Sequence, residues 1–184
     1  GAMIVNNLEG DIDANGAGSL TVDVVSPTDA TITIDSDRTT SIQAGLLEDT
    51  DDLVLDGTGN ITIARSTDGV EAAKTDGLNT KNLDASATSG AIVINTAALT
   101  GTGTNTDGSG AFMTAVTGSG DFTIYGDDSD NANTNIIDIV VNSSAMDDAD
   151  VLTLGGDAEY FLTGVDAIVR ASSDTSMTGF GEDS

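Results

Sequence analysis

The sequence predicts an all-β chain, with a parallel β-solenoid as the preferred architecture and an irregular β-sandwich as the alternative. Three observations lead there. Apolar residues fall into short runs of roughly three to six that alternate or cluster as strands do. The segments between them are dense in Gly, Asp, Asn, Thr and Ser, with 22 glycines and a single proline, Pro27, in 184 residues. Similar strand–turn units also recur along the chain, and units that cannot bury their faces alone are expected to stack.

The strands are read in order. Leu20–Val25 opens with Leu-Thr-Val-Asp-Val-Val, and Thr31–Ile34 alternates strictly. Leu53–Leu55, Ile61–Ile63, Ile92–Ile94, Phe122–Tyr125, Ile136–Val141 and Val151–Leu154 follow, each bounded by turn residues. Helix signals are weak. Glu71–Lys74 and Ser41–Leu47 could each form one turn, but neither has length or a capped apolar stripe. Leu99–Gly120 reads as a long Gly/Thr-rich loop. Thr100, Thr102, Thr104 and Thr106 alternate within it, but the intervening glycines remove the packing that a rigid threonine row needs.

Two echoes suggest the repeat. Ile12-Asp-Ala-Asn15 leads to Leu20, Leu83-Asp-Ala-Ser86 to Ile92, and Val169-Arg-Ala-Ser172 to Met177. Asp52-Leu-Val-Leu-Asp-Gly57 is echoed by Asp150-Val-Leu-Thr-Leu-Gly155. Aromatics make up 3% of the chain, so the core is expected to be built from Val, Ile, Leu and Ala. Gly1–Met3 reads as the scar of a cleaved expression tag. Residues 4–184 are expected to form one all-β domain, a piece of a larger protein.

Charge narrows function further. Thirty-one acidic residues face five basic ones, a formal charge of −26. A compact domain so charged repels itself and calls for divalent cations, high salt or a cationic partner. Acidic halophilic proteins share this balance. Nucleic acid is excluded as a partner, because phosphate backbones require Lys and Arg. No apolar run approaches the ~18 residues that cross a bilayer, so membrane insertion is not expected. There is no histidine and no cysteine. The chain therefore lacks the side chain that titrates nearest neutrality, and any thiolate nucleophile, disulfide or zinc–thiolate site.

Leu83-Asp-Ala-Ser-Ala-Thr-Ser-Gly90 and Gly118-Ser-Gly-Asp-Phe-Thr-Ile-Tyr-Gly-Asp-Asp128 carry a resemblance. In them the chain resembles the β-helical or β-roll regions of bacterial surface-layer and RTX-type exported proteins. The likeness is diffuse elsewhere. The strict nonapeptide Gly-Gly-x-Gly-x-Asp-x-apolar-x does not occur, and Gly155-Gly-Asp-Ala-Glu159 has only its opening pair. The resemblance implies a secreted, extracellular cell-surface location, calcium as cofactor, and self-association or contact with neighbouring subunits.

The residues themselves also offer calcium ligands. Asp11-x-Asp13-x-Asn15-Gly16 matches the first half of an EF-hand-type loop, with oxygen ligands at alternate positions and a sharp turn at glycine. Its twelfth position, where a bidentate Glu belongs, is Val22, and Asp23 is one residue beyond. Acidic clusters compete with it: Glu48, Asp49, Asp51 and Asp52; Asp127, Asp128, Asp130 and Asn131; and Asp147, Asp148 and Asp150. The second is preferred, because strands bracket it on both sides. Calcium suits such groups, accepting six to eight oxygens in loose geometry.

Catalysis is not expected. A polysaccharide lyase would set basic residues beside acidic calcium ligands, but Arg38, Arg65, Lys74, Lys81 and Arg170 are too few to place such a site. A glycosidase carboxylate pair could be drawn from many acids, and nothing selects two of them. The reading is a non-catalytic structural and assembly module of a bacterial surface layer or fibre, stabilised by calcium. The alternative is an adhesin module that binds a glycan or matrix partner.

Overall fold

The computed structural model describes residues 1–25, 31–46, 52–64, 77–78, 80–99, 112–128, 138–156, 158–171 and 176–178. Among these there are sixteen strands and no helix. In chain order they are β1 (Met3–Leu8), β2 (Ile12–Ala14), β3 (Ser19–Val25), β4 (Thr31–Ser36), β5 (Thr39–Leu46), β6 (Asp52–Gly57), β7 (Ile61–Ala64) and β8 (Asn82–Thr88). Then come β9 (Ile92–Leu99), β10 (Met113–Val116), β11 (Phe122–Asp128), β12 (Ile139–Asn142), β13 (Val151–Gly156), β14 (Glu159–Thr163), β15 (Ile168–Ala171) and β16 (Ser176–Thr178). Accordingly, no helix of the described residues is long and apolar enough to cross a membrane.

The strands sort into two eight-stranded sheets by parity. One runs β1-β3-β5-β7-β9-β11-β13-β15, the other β16-β14-β12-β10-β8-β6-β4-β2. Neighbours within each sheet pair in parallel. Each circuit of the chain thus adds one strand to each sheet, the parallel solenoid that the sequence predicted.

The core lies between the sheets and is made of ladders. In the odd sheet Leu20, Thr40, Ile61, Ile92, Phe122 and Leu152 stack in register, as do Val22, Ile42, Ile63, Ile94, Ile124 and Leu154. In the even sheet Ile32, Leu53, Leu83, Ala115, Val141 and Leu162 do the same. All of these residues are buried. Alternation forces this outcome, since successive side chains in a strand point to opposite faces. Thr40 is the polar member, and its hydroxyl donates inside the core to Ser36 Oγ (2.9 Å).

The turns that lead from even to odd strands are short and stack closely. A Cβ at Gly59 would lie 2.0 Å from the Arg38 carbonyl oxygen, one at Gly90 2.1 Å from that of Gly59, and one at Gly120 2.7 Å from that of Gly90. Glycine is required here because the backbone of one coil rests on the next.

Several expectations are corrected. Ser41–Leu46 belongs to β5, because Ile42 and Ala44 alternate inward at strand period. Within the segment read as a loop over residues 99–120, Met113–Val116 forms β10, with Met113 and Ala115 buried. The repeat units are only partly equivalent. Ile12–Ala14 and Leu83–Ala85 both lie in the even sheet before a tight turn, but Ile12 aligns with Ile34 and Leu83 with Leu53. Val169–Ala171 lies in the odd sheet, and the Asp52 and Asp150 echoes fall in opposite sheets. Both sheets require the same apolar alternation, so the echoes marked strands rather than coils. Glu71–Lys74 lies outside the described residues.

Candidate functional site

The two outer surfaces of the solenoid differ in charge. On the even sheet Asp13, Asp35 and Asp56 are in register on consecutive strands β2, β4 and β6. Each follows an inward apolar residue, Ile12, Ile34 or Leu55, so alternation turns the carboxylates outward. Parallel strands lie about 4.8 Å apart, which stacks three like charges. Asp35, in the middle, has its pKa raised above 3.8 by partial burial first and then by the carboxylates of Asp56, Asp13 and Asp37.

Other acids on this side act as acceptors for the coil above. Asp11 Oδ1 accepts the Thr33 amide at 2.8 Å. Asp37 Oδ1 accepts the Thr58 amide (3.3 Å) and hydroxyl (2.8 Å). Asp52 Oδ1 accepts Asn82 Nδ2 at 2.6 Å. On the odd side Asp121 Oδ1 accepts the Val151 amide at 2.8 Å, and Asn60 Oδ1 the Ala91 amide at 3.0 Å. Bonds of this kind tie successive coils where the ladder of main-chain pairs begins or ends.

The predicted ligands are dispersed by this architecture. Asp11, Asp13 and Asn15 lie on β2 and the turns beside it, while Asp23 lies on β3 in the opposite sheet, in register with Gln43. Asn15 donates to Asp13 Oδ1 at 2.6 Å, and its carbonyl accepts Arg38 Nη2 at 2.9 Å. The Ala17 carbonyl accepts Arg38 Nη1 at 3.2 Å. The segment therefore runs strand–turn–strand, with a guanidinium on the turn carbonyls. Asp127 and Asp128 are in β11, their backbones in register with Ala98 and Leu99. Asp130, Asn131, Glu48, Asp49 and Asp51 lie outside the described residues. Asp147 and Asp150 cap their own turn, through Ala149 N to Asp147 Oδ1 (2.8 Å) and Asp147 N to Asp150 Oδ2 (2.9 Å). Among the described residues no three acidic side chains are placed to hold a metal ion together.

Sequence reasoning missed Asp35, Asp37 and Asp56. Clusters adjacent in sequence drew attention, whereas these acids meet only across coils. A signal was available in the repeated apolar–Asp steps Ile12-Asp13, Ile34-Asp35 and Leu55-Asp56.

The odd sheet presents the opposite character. Its outward rows include Thr21, Ser41, Thr62, Val93, Thr123 and Thr153, then Gln43 in register with Ala64, and Asn95 with Tyr125 and Gly155. From β5 to β13 these two rows contain no Asp, Glu, Lys or Arg. Asp23 and Asp121 lie at the margins, Asp127 and Asp128 continue β11 beyond the Tyr125 row, and Arg170 is on β15. Tyr125 is 43% exposed there. Its ring edge covers the place a side chain at Gly155 would take, and a Cβ on that glycine would fall 2.4 Å from Tyr125 Cδ1. Compared with known proteins, the chain matches no family model, no curated protein and no solved structure.

Proposed function

We propose that this chain is a non-catalytic structural module of a bacterial cell-surface layer or fibre, that it associates with further copies of itself, and that calcium stabilises it. The observation that carries the reading is the continuous parallel stack. Its sheets are edged by β1 and β2 at one end and by β15 and β16 at the other. Edge strands present main-chain donors and acceptors to whatever pairs with them. A copy added with the same polarity repeats the step made at every internal coil. Exposed Ile4 on β1 and Ile168 on β15 add apolar surface at both edges.

Calcium enters through charge. Like charges about 4 Å apart cost roughly 1 kcal/mol per pair even in water. Hard divalent cations reverse that cost, and carboxylates are their preferred ligands. The proposal places them between adjacent carboxylates of the Asp13–Asp35–Asp56 row and at the acidic sequence clusters Glu48–Asp52 and Asp127–Asn131.

Sedimentation velocity and thermal melting in EDTA, calcium, magnesium and sodium chloride, at matched ionic strength, test both halves. Calcium at a hundred times its Kd would add about 2.7 kcal/mol, several degrees in a domain of this size. Association should rise with protein concentration and with calcium. Identical melts in EDTA and calcium would replace specific binding with general charge screening. A monomer at all concentrations would remove the assembly half. The adhesin reading has its own support in the two uncharged rows of the odd face around Tyr125.

A further inference from the structure

We propose that the outer face of the odd sheet is a docking surface for a neutral polysaccharide, centred on Tyr125. The inference rests on this face alone and requires neither calcium nor assembly.

Three observations converge on one occupant. The first is charge. In a chain of net charge −26 the two outward rows through Thr123 and Tyr125 carry hydroxyls, amides and methyl groups and no formal charge from β5 to β13, the acids of β11, Asp127 and Asp128, following beyond the register shift at Gly126. Anionic polymers and nucleic acids are repelled by the chain as a whole, and a cationic partner would find its complement on the even sheet. A neutral polymer is what an uncharged face on an acidic body selects.

The second is the aromatic ring. Tyr125 is one of three large apolar residues exposed among the described residues, with Ile4 and Ile168. The other two sit on sheet-edge strands, whereas Tyr125 is on an interior strand. Its ring leans over Gly155 on β13, where any side chain would displace it. A glycine beneath it keeps the ring down on the sheet. An aromatic face is electron-rich and accepts the C–H face of a sugar ring, while the phenol stays wet.

The third is what surrounds the ring. Asn95 and Gly155 are its register partners on either side, and Thr123 and Thr153 form the adjacent row. Asn95 Nδ2 donates to the Ile63 carbonyl at 3.2 Å, which fixes the amide and leaves its oxygen, with the threonine hydroxyls, for sugar hydroxyls that both donate and accept. From β9 to β13 the platform spans two strand spacings, about 10 Å. That accommodates a disaccharide stretch of an extended chain, and the uncharged rows continue to β7 and β5.

The test is a pull-down of the full chain, in EDTA and at low protein concentration, on insoluble cellulose and chitin, with affinity electrophoresis in soluble xylan and in anionic alginate. Wild-type protein is expected to bind at least one neutral polymer and to be unretarded by alginate. Tyr125→Ala should weaken that binding about tenfold, the scale of one lost stacking contact. Tyr125→Phe should keep most of it, and Gly155→Ala should weaken it by lifting the ring. Asp35→Asn, on the opposite face, should leave it unchanged. Circular dichroism and melting of each variant separate lost binding from lost folding, and Tyr125→Phe serves where Gly155→Ala does not fold. Absence of binding to all neutral polymers overturns the proposal, as does binding that survives Tyr125→Ala. A self-association lost in Tyr125→Ala, without glycan binding, would assign the face to a second copy and likewise overturn it.

Discussion

The hydroxyl of Tyr160 donates to the carbonyl oxygen of Gly155 across the core, at 2.7 Å. Tyr160 belongs to β14 in the even sheet and Gly155 to β13 in the odd sheet, so one phenol joins the two layers. The phenol oxygen in turn accepts the Gly126 amide at 2.8 Å. Tyr125 and Asp127 flank a register shift between β11 and β9, and there Gly126 would otherwise bury an unpaired N–H. Tyr160 is fully buried. Tyr160→Phe keeps the packing and removes the oxygen. The expected cost is about 1–3 kcal/mol, the penalty for buried backbone groups left without partners. Urea denaturation followed by circular dichroism measures it, and a loss below a few tenths would show that water replaces the phenol.

Gly90 lies over Gly59 in the stacked turns, and its Cβ would fall 2.1 Å from the Gly59 carbonyl oxygen. The obstacle is backbone, which cannot rotate away. Gly90→Ala should therefore force two coils apart locally and destabilise by about 1–3 kcal/mol, as overpacking does. Ala at Gly10, which has nothing within 4 Å of a Cβ, is the control and should be close to neutral. Thermal melts of the two variants make the comparison.

Phe122 stacks between Ile92 and Leu152 and is fully buried. Phe122→Ala removes most of a ring from the centre of an aliphatic ladder, and a parallel sheet on both sides limits collapse into the space. A loss of about 3–5 kcal/mol is expected, read as a lower urea midpoint with unchanged slope. Phe122→Leu should recover most of it.

Asp35 gives a pH prediction. Its folded pKa is raised, so the folded state binds its proton more tightly than the unfolded chain. The contribution of this group to stability is full below the ordinary value of 3.8 and is lost as pH rises through the raised folded value. Asp35→Asn removes that dependence. At neutral pH without calcium the variant should be slightly more stable than wild type, by a few tenths of a kcal/mol after solvent screening. The difference should vanish on acidification towards pH 3.8. With calcium present the sign should reverse if the stack binds it. Melting temperatures across pH, with and without calcium, read both effects.

Much of the strand content was legible because alternation is a local property. Thr31-Ile-Thr-Ile34 and Ile61-Thr-Ile63 announce one buried and one open face wherever they sit. Strands whose inward residues are small or polar were harder to see. In β8 the inward Ala85 carries little apolar signal, and in β5 the inward Thr40 reads as surface until Ser36 is found beside it. β10 was hidden because Met113 and Ala115 follow a run of Gly and Thr.

By itself the sequence determined that this protein is made of short strands and tight turns, that its core is aliphatic, that it is strongly acidic, and that it has no thiol or imidazole chemistry. All of these follow from residue type and period. Only the tertiary structure decided which side chains meet. Residues 20, 40, 61, 92, 122 and 152 form one ladder at unequal sequence intervals, because the connections between sheets vary in length while the register between strands does not. For the same reason Asp13, Asp35 and Asp56, far apart in the chain, became neighbours in one acidic row of the even sheet, and the uncharged rows through Thr123 and Tyr125 came together on the odd sheet. Parallel pairing fixes neighbours by hydrogen bonds between coils, and no local pattern in the sequence encodes that registration.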